Sequence, residues 1–578
     1  MRVAGLPILV MLAVTPCDAY PRKYIAPEPS QVEITGPDWY GDSANKVVRL
    51  DQGWTVADSD WFYRTTQGSQ LLPYAFFLAL EQADAPALFR DAHNMQKYRF
   101  LPQRPSSTNP DGLPIGFVAD AESGLPRDLL ADRRSVGFTC AACHTTNINY
   151  KGTALRVDGT AALINMAGFL TDLSAALEAT VNDDAKFDRF AARVLGNGAK
   201  AAKKTSLRSA LRASAEQHSA YNTLNRSDLA DGFGRLDAFG RIFNNALMLV
   251  DPHNGIKANA PARFPQLWDT PRLDFVQWTG VASNAGVGSL VRNIGQMVGV
   301  FATIDPGDPP PSAGYYSSVN LPNLRALERQ LKRLKSPVWP ENVLPPIDHR
   351  LAAAGRELFV RDCRSCHHDI ERNGKDRVQT TRLSIATVRT DPLVAENLIN
   401  ARGNTGFLAG TKQDVYFGRV LGPTDTAFHI TRNTVLHMFF GKLAPRLHNK
   451  AMRHVDAGDS GPAGPGDRAA IAQHSKNEPQ LQYKARPLNG IWAVPPFLHN
   501  GSVPNLYEML LPANRRSRQF SLGRREFDPV KVGLVTEPAE GTFLFDTTPK
   551  GNTNAGHEFG AHLSEEERWQ VVEYLKSL

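Results

Sequence analysis

Two copies of one five-residue pattern constrain this chain more than anything else in its 578 residues. Cys140-Ala141-Ala142-Cys143-His144 and Cys363-Arg364-Ser365-Cys366-His367 share the form Cys-x-x-Cys-His, and together they use every cysteine except Cys17. Two thiols one helical turn apart reach the two vinyl groups of a single porphyrin, and the imidazole that follows ligates its iron from below. The spacing therefore predicts two covalent haem c sites, one on Cys140, Cys143 and His144, the other on Cys363, Cys366 and His367. Zinc is an alternative, but a closed zinc site needs four tetrahedral ligands, and adjacent Cys and His suit it badly. A thioredoxin-like redox pair asks for a βαβ surround that neither copy has. Disulfides are the remaining alternative.

The N-terminus has the order of a secretory signal over residues 1–19: Arg2, an apolar stretch, then Cys17-Asp18-Ala19 ending on a small residue. A lipid anchor on Cys17 is the alternative, which Pro16 and Asp18 fit poorly. No later apolar run approaches the roughly 20 residues that a membrane helix needs. The expectation is a chain without a membrane span, periplasmic or secreted, and export agrees with haem c attachment. The formal charge of +7 is modest for this length. The basic clusters at 200–204, Arg515-Arg516 and Arg524-Arg525 are scattered, so they read as solvated surface and give no footprint for nucleic acid.

Along the chain, aromatic residues crowd between Trp54 and Phe77, as suits a core or a porphyrin wall. Apolar residues at helical spacing over 161–194 and 206–224 predict an inserted helical pair, parted by Gly196-Asn197-Gly198. Proline-rich stretches at 306–312 and 337–346 bracket a helical piece and mark a domain boundary. Residues 351–362 read as a helix entering the second pentad. Ser564 with Glu567 forms a capping box for a terminal helix over 565–578. Residues 457–480, rich in Gly, Pro and polar side chains, read as a surface loop. The expected fold class is mainly α: two cytochrome c-like haem domains with long loops and a helical insertion in the first. The boundaries are 1–19 for the signal, 20–305 for the first domain with its insertion at about 151–250, 306–350 for the linker and 351–578 for the second.

The two pentads, the Pro-Phe-Leu-His-Asn-Gly-Ser-Val element at 496–503 and the helical C-terminus resemble the bacterial di-haem cytochrome c peroxidases and their relatives. The resemblance is greatest to the rubber oxygenase (RoxA-like) branch. It is carried by QGSQLLPYAFFLALEQ (67–82), FTCAACHT (138–145), WDTPRLDFVQW (268–278), RNIGQMVGVFA (292–302), the element at 492–504 and GNTNAGHEFG (551–560).

That resemblance implies a haem on His144 with one face open to dioxygen or peroxide, and a six-coordinate haem on His367 that handles electrons. It puts Trp278 between the haems, with ordinary core packing as the alternative, and Asn293 and Gln296 in the distal pocket as catalytic candidates. Peroxidases use a distal carboxylate to move a proton, which a Gln cannot accept and return. This leans the chemistry towards oxygen. His557 is the first choice for the sixth ligand of the second haem, with His499 next and Met438 or Met509 after it; His368 reads as surface. Arg292 and Arg486 pair with propionates or with ordinary surface acids. The peroxidases also hold calcium, for which no dense run of oxygen ligands appears here. The expected partners are a small oxidant, with an apolar organic substrate or a small electron-donor cytochrome. A hydrogen-peroxide-reducing peroxidase, a non-enzymatic di-haem electron carrier and a haem-based sensor are the competing functions.

Overall fold

The strand Arg134–Phe138 runs straight into the first pentad and the strand Thr145–Tyr150 leaves it, so Cys140–Cys143 is a single helical turn slung between two sheets. The computed structural model describes residues 44–122, 129–130, 132–307, 314–442 and 478–578. The expected signal and most of the expected loop at 457–480 lie outside the described residues.

Arg134–Phe138 sits between Leu72–Pro73 and Phe117–Glu122, antiparallel to both, with Phe138 opposite Phe117. Thr145–Tyr150 pairs antiparallel with Thr153–Asp158, whose other edge takes Lys46–Arg49 in parallel. Further two-stranded sheets recur through the rest of the chain. The fold is therefore mixed α/β, in which helices dominate, and not mainly α. The reason is local: most of these strands are two to six residues long, and several pair with partners far away in sequence. Such strands leave no periodic signature.

The insertion is three helices, not a pair: Met166–Asn182, Asp184–Leu195 and Ala201–Leu224. Asp183 makes the extra break, ending the first helix and capping the second by accepting from the Lys186 N–H. Phe169, Leu173, Phe190 and Leu207 pack this unit into an aromatic-rich core with Phe76, Phe77, Phe117 and Phe138.

In the second half, the helix His349–Asp362 delivers Cys363 and crosses the C-terminal helix Glu565–Lys576. The crossing is close at Gly355, where a Cβ would lie 1.9 Å from the Gln570 carbonyl oxygen. Phe359 and Tyr574 seal it with ring centroids 5.2 Å apart. The capping box at Ser564 and Glu567 is present as expected. The largest core draws on residues either side of 306–350: Phe62, Ile148 and Trp268 with Phe359, Trp492 and Val572. The described residues all fall in one compact unit.

Candidate functional site

Thr139 fixes the first pentad. Its hydroxyl accepts from the Ala141 N–H and donates to the Tyr63 carbonyl. Gly116, at φ 88°, lies so close that a Cβ would meet the Ala142 nitrogen at 2.3 Å, which only glycine avoids. The returning chain pins the other end: Gly159 N–H donates to the His144 carbonyl and Ala162 N–H to that of Cys143. His144 is packed against Phe264, ring centroids 6.2 Å apart. Burial pulls its pKa down to about 4, so the imidazole is neutral and able to ligate. The Pro265 carbonyl beside the ring offsets part of that shift. Burial raises both thiols, Cys140 and Cys143, to about 12.

At the second pentad, His367 donates from Nδ1 to the Arg486 carbonyl at 2.8 Å. A carbonyl only accepts, so the proton is on Nδ1 and the Nε2 lone pair is free for a metal. Facing it is His557, with ring centroids 6.0 Å apart and planes at 55°. Burial first, then the neighbouring His367 and Arg516, draws the His557 pKa down to about 3, and its Nδ1 has no hydrogen-bond partner. His557 has φ 49°, an uncommon backbone for a non-glycine residue. Arg516 holds it there, with guanidinium N–H groups donating to the carbonyls of Asn554, Gly556 and His557. Arg516 is buried, as is Arg525, so neither dipeptide cluster is the solvated patch that charge alone suggested.

These imidazoles border a cavity of about 1350 Å³, its mouth included. Phe359, Leu383, Ile491, Phe497, Leu506 and Leu575 give it apolar walls, and Cys363 and Cys366 open onto it. His499 lines it too, stacked on Tyr483 at 4.1 Å, but it is His557 that the fold brings to His367. Met509 also lines the cavity, whereas Met438 is enclosed in the main core. His368 is exposed and hydrogen-bonds Thr381 at 3.2 Å. Arg486 is no surface residue: its guanidinium donates to the carbonyls of Gln266 and Trp268 inside the cavity wall.

Trp278 lines this cavity as well. Its indole N–H donates to the Arg263 carbonyl at 2.8 Å, and the Arg263 guanidinium lies 5.2 Å from the ring centre. The preceding residue, Gln277 at φ 68°, opens onto a different cavity of about 740 Å³, the open solvent at its mouth included. Consecutive side chains thus face two cavities, Gln277 the smaller and Trp278 the larger. The smaller one is walled by Phe239, Ile242, Phe243, Phe428 and Val435, and Gln296 of the helix Gly288–Gly299 points into it.

Asn293, on the same helix, is already engaged. Its amide donates to Glu328 Oε1 at 2.8 Å and its carbonyl accepts from Arg292, which is ion-paired with that same carboxylate. The charges of Glu328 and Arg292 both reach Cys140, Glu328 raising its thiol pKa and Arg292 lowering it. Glu328 and Lys484, another cavity residue, carried no mark in the sequence, since each is one charged residue in an unpatterned stretch, and Arg516 showed there only as half of a basic pair.

Among the described residues none of the cysteines Cys140, Cys143, Cys363 and Cys366 is joined in a disulfide. Among the described residues no group of three or more His, Cys, Asp or Glu side chains gathers as a metal site, so neither pair is completed into a zinc knuckle. Thiols at the right spacing, a neutral imidazole with a free Nε2, an apolar cavity and unpartnered ring nitrogens do fit haem c. In that fit Cys363, Cys366, His367 and His557 would hold one group and Cys140, Cys143 and His144 another.

Residues 482–521 match the family described as RoxA-like, cytochrome c-like. That segment contributes Tyr483, Lys484, Arg486 and His499 to the cavity wall. Over 94% of both chains the sequence is 32% identical to the uncharacterized protein y4iJ of Sinorhizobium fredii (strain NBRC 101917 / NGR234). A second relative from that organism, the uncharacterized protein y4iM, is 24% identical over 51% of this chain and 56% of its own length. The chain therefore belongs to the family of y4iJ and carries a RoxA-like, cytochrome c-like domain, which implies that it binds haem c.

Proposed function

We propose that this chain is an exported di-haem c-type oxidoreductase with an unequal pair of sites, one for a small oxidant and one for electrons. The observation that carries this reading is the asymmetry of the two histidines. His367 faces a second imidazole across an apolar cavity, whereas the ring that meets His144 is Phe264. When bound, haem supplies oxygen or peroxide activation at a site with one open face and electron exchange at a site with two imidazoles.

The chain's own residues then have distinct tasks. His144, His367 and His557 ligate; Arg516 orients His557; Trp278 walls the cavity of the second site. Gln296 offers a hydrogen bond at the apolar cavity beside its helix, a place suited to an unsaturated organic substrate. A leader-like N-terminus supports export, and no helix among the described residues is long and apolar enough to cross a membrane.

The peroxidase reading has one observation in its favour, the Glu328 carboxylate near Cys140, yet that carboxylate is committed to Arg292 and Asn293. An electron carrier with two six-coordinate haems is the non-enzymatic alternative. Low-temperature electron paramagnetic resonance of the oxidised protein, with and without imidazole, separates the readings. One imidazole-sensitive haem beside one insensitive low-spin haem is expected; two insensitive low-spin haems would leave the carrier. Turnover with peroxide and a small cytochrome, set against turnover with an unsaturated hydrocarbon, divides the enzymes.

A further inference from the structure

Arg263, Lys484 and Arg486 all line the larger cavity and are only 4, 8 and 8% exposed. They are near enough to feel one another: the charge of Arg486 depresses both Arg263 and Lys484, after burial itself. Among the described residues none of the three has a carboxylate within ion-pair distance. Asp269, whose charge reaches Arg486, is paired with Arg272 at 3.2 Å. Asp362, the acid on the cavity wall, is taken by Arg361 at 2.8 Å. Backbone carbonyls position the two guanidinium groups, Val494 for Arg263 and Gln266 with Trp268 for Arg486, and leave further N–H groups free. The Lys484 ammonium has no hydrogen-bond or ion-pair partner among the described residues; Asp274, whose charge reaches it, is engaged by Thr380.

Three buried like charges without an ion-pair partner in contact are costly to maintain, so the cavity is built for an anionic occupant. We infer that Arg263, Lys484 and Arg486 form a cradle for the two propionate carboxylates of the haem held by Cys363 and Cys366. This rests on the di-haem reading. Arg486 then serves twice, with its backbone carbonyl fixing the His367 tautomer and its side chain meeting the group that His367 ligates. The cradle neutralises the porphyrin's two negative charges, and its positive field favours the ferrous state.

The experiment is a redox titration of the full-length holoprotein and of Lys484→Gln, after intact mass and peptide mapping have located the haems. Removing a cation stabilises the more positive ferric state, so the midpoint of the low-spin haem falls. The expected shift is at least a tenfold change in the ferric-to-ferrous ratio at fixed potential, about 59 mV for a one-electron couple. Lys484→Arg restores the wild-type midpoint. Arg263→Gln shifts it in the same direction and serves where Lys484→Gln does not accumulate. Unchanged midpoints in both charge-removing variants, with haem still attached at Cys363 and Cys366 and still low-spin, would overturn the cradle. Wild-type protein with no haem on that peptide would instead sink the di-haem reading, and the cradle with it.

Discussion

The imidazoles of His367 and His557 face each other with centroids 6.0 Å apart, although 190 positions separate them in the chain. An imidazole–metal bond is about 2 Å long. A metal ligated by both rings therefore sets their centres roughly 6 Å apart, allowing for the distance from each nitrogen to its ring centre. The fold holds this spacing from two directions: the Arg486 carbonyl orients one ring, and Arg516 binds the loop that carries the other.

His557→Ala should convert the second haem from low-spin to high-spin in the oxidised protein and leave both thioether attachments intact, as read by optical and paramagnetic resonance spectra with haem staining. His499→Ala should leave that low-spin signal in place. The reverse pattern would make His499 the ligand.

Gln296 is the amide turned into the smaller cavity, whereas Asn293 is engaged with Arg292 and Glu328. Gln296→Glu places there a carboxylate that both accepts and returns a proton. Peroxide turnover should rise by about a hundredfold, the lower end of what general acid–base catalysis supplies. An unchanged rate in a correctly loaded variant would place Gln296 away from the reacting atoms.

Arg292 and Glu328 form an ion pair in which the side chains are only 7 and 12% exposed. Glu328→Ala leaves the guanidinium buried without a partner and removes the Asn293 acceptor, so a loss of about 3 kcal/mol is expected. Glu328→Gln keeps an acceptor and should cost less. Equilibrium denaturation in urea checks both. A loss in the alanine variant within experimental error of zero would show the pair to be solvated in solution.

What the sequence discloses here follows from how local each feature is. The Ser564 capping box and the helix entering Cys363 are each set by residues within a few positions, and each is found where expected. The sheets are not local: Lys46–Arg49 pairs with Thr153–Asp158, and Gln482–Lys484 with Arg382–Ser384. Three- to six-residue strands of mixed polarity carry no periodicity, which is why a mainly α fold was the natural expectation. Arg516 failed for a related reason. Beside Arg515 it looks like a surface cluster, and only the tertiary fold turns it inward to hold the His557 loop.

His499 supplies the pH dependence. Its ring is stacked on Tyr483 with planes 25° apart, and its Nε2 lacks a hydrogen-bond partner. Burial draws its pKa from 6.5 down to about 4. The folded state therefore keeps this ring neutral while the unfolded chain takes up a proton, so the stabilisation is complete above pH 6.5. It declines as the pH falls and is gone below about 4. At about 1.4 kcal/mol per pKa unit, the upper bound is about 3 kcal/mol. Stability measured by urea denaturation should fall across this window in the wild type, and more shallowly in His499→Phe, which keeps the aromatic stack without the titrating nitrogen. Should both proteins lose stability equally, His499 does not titrate there. Should the phenylalanine variant also lose its low-spin haem signal, His499 is an iron ligand in place of His557.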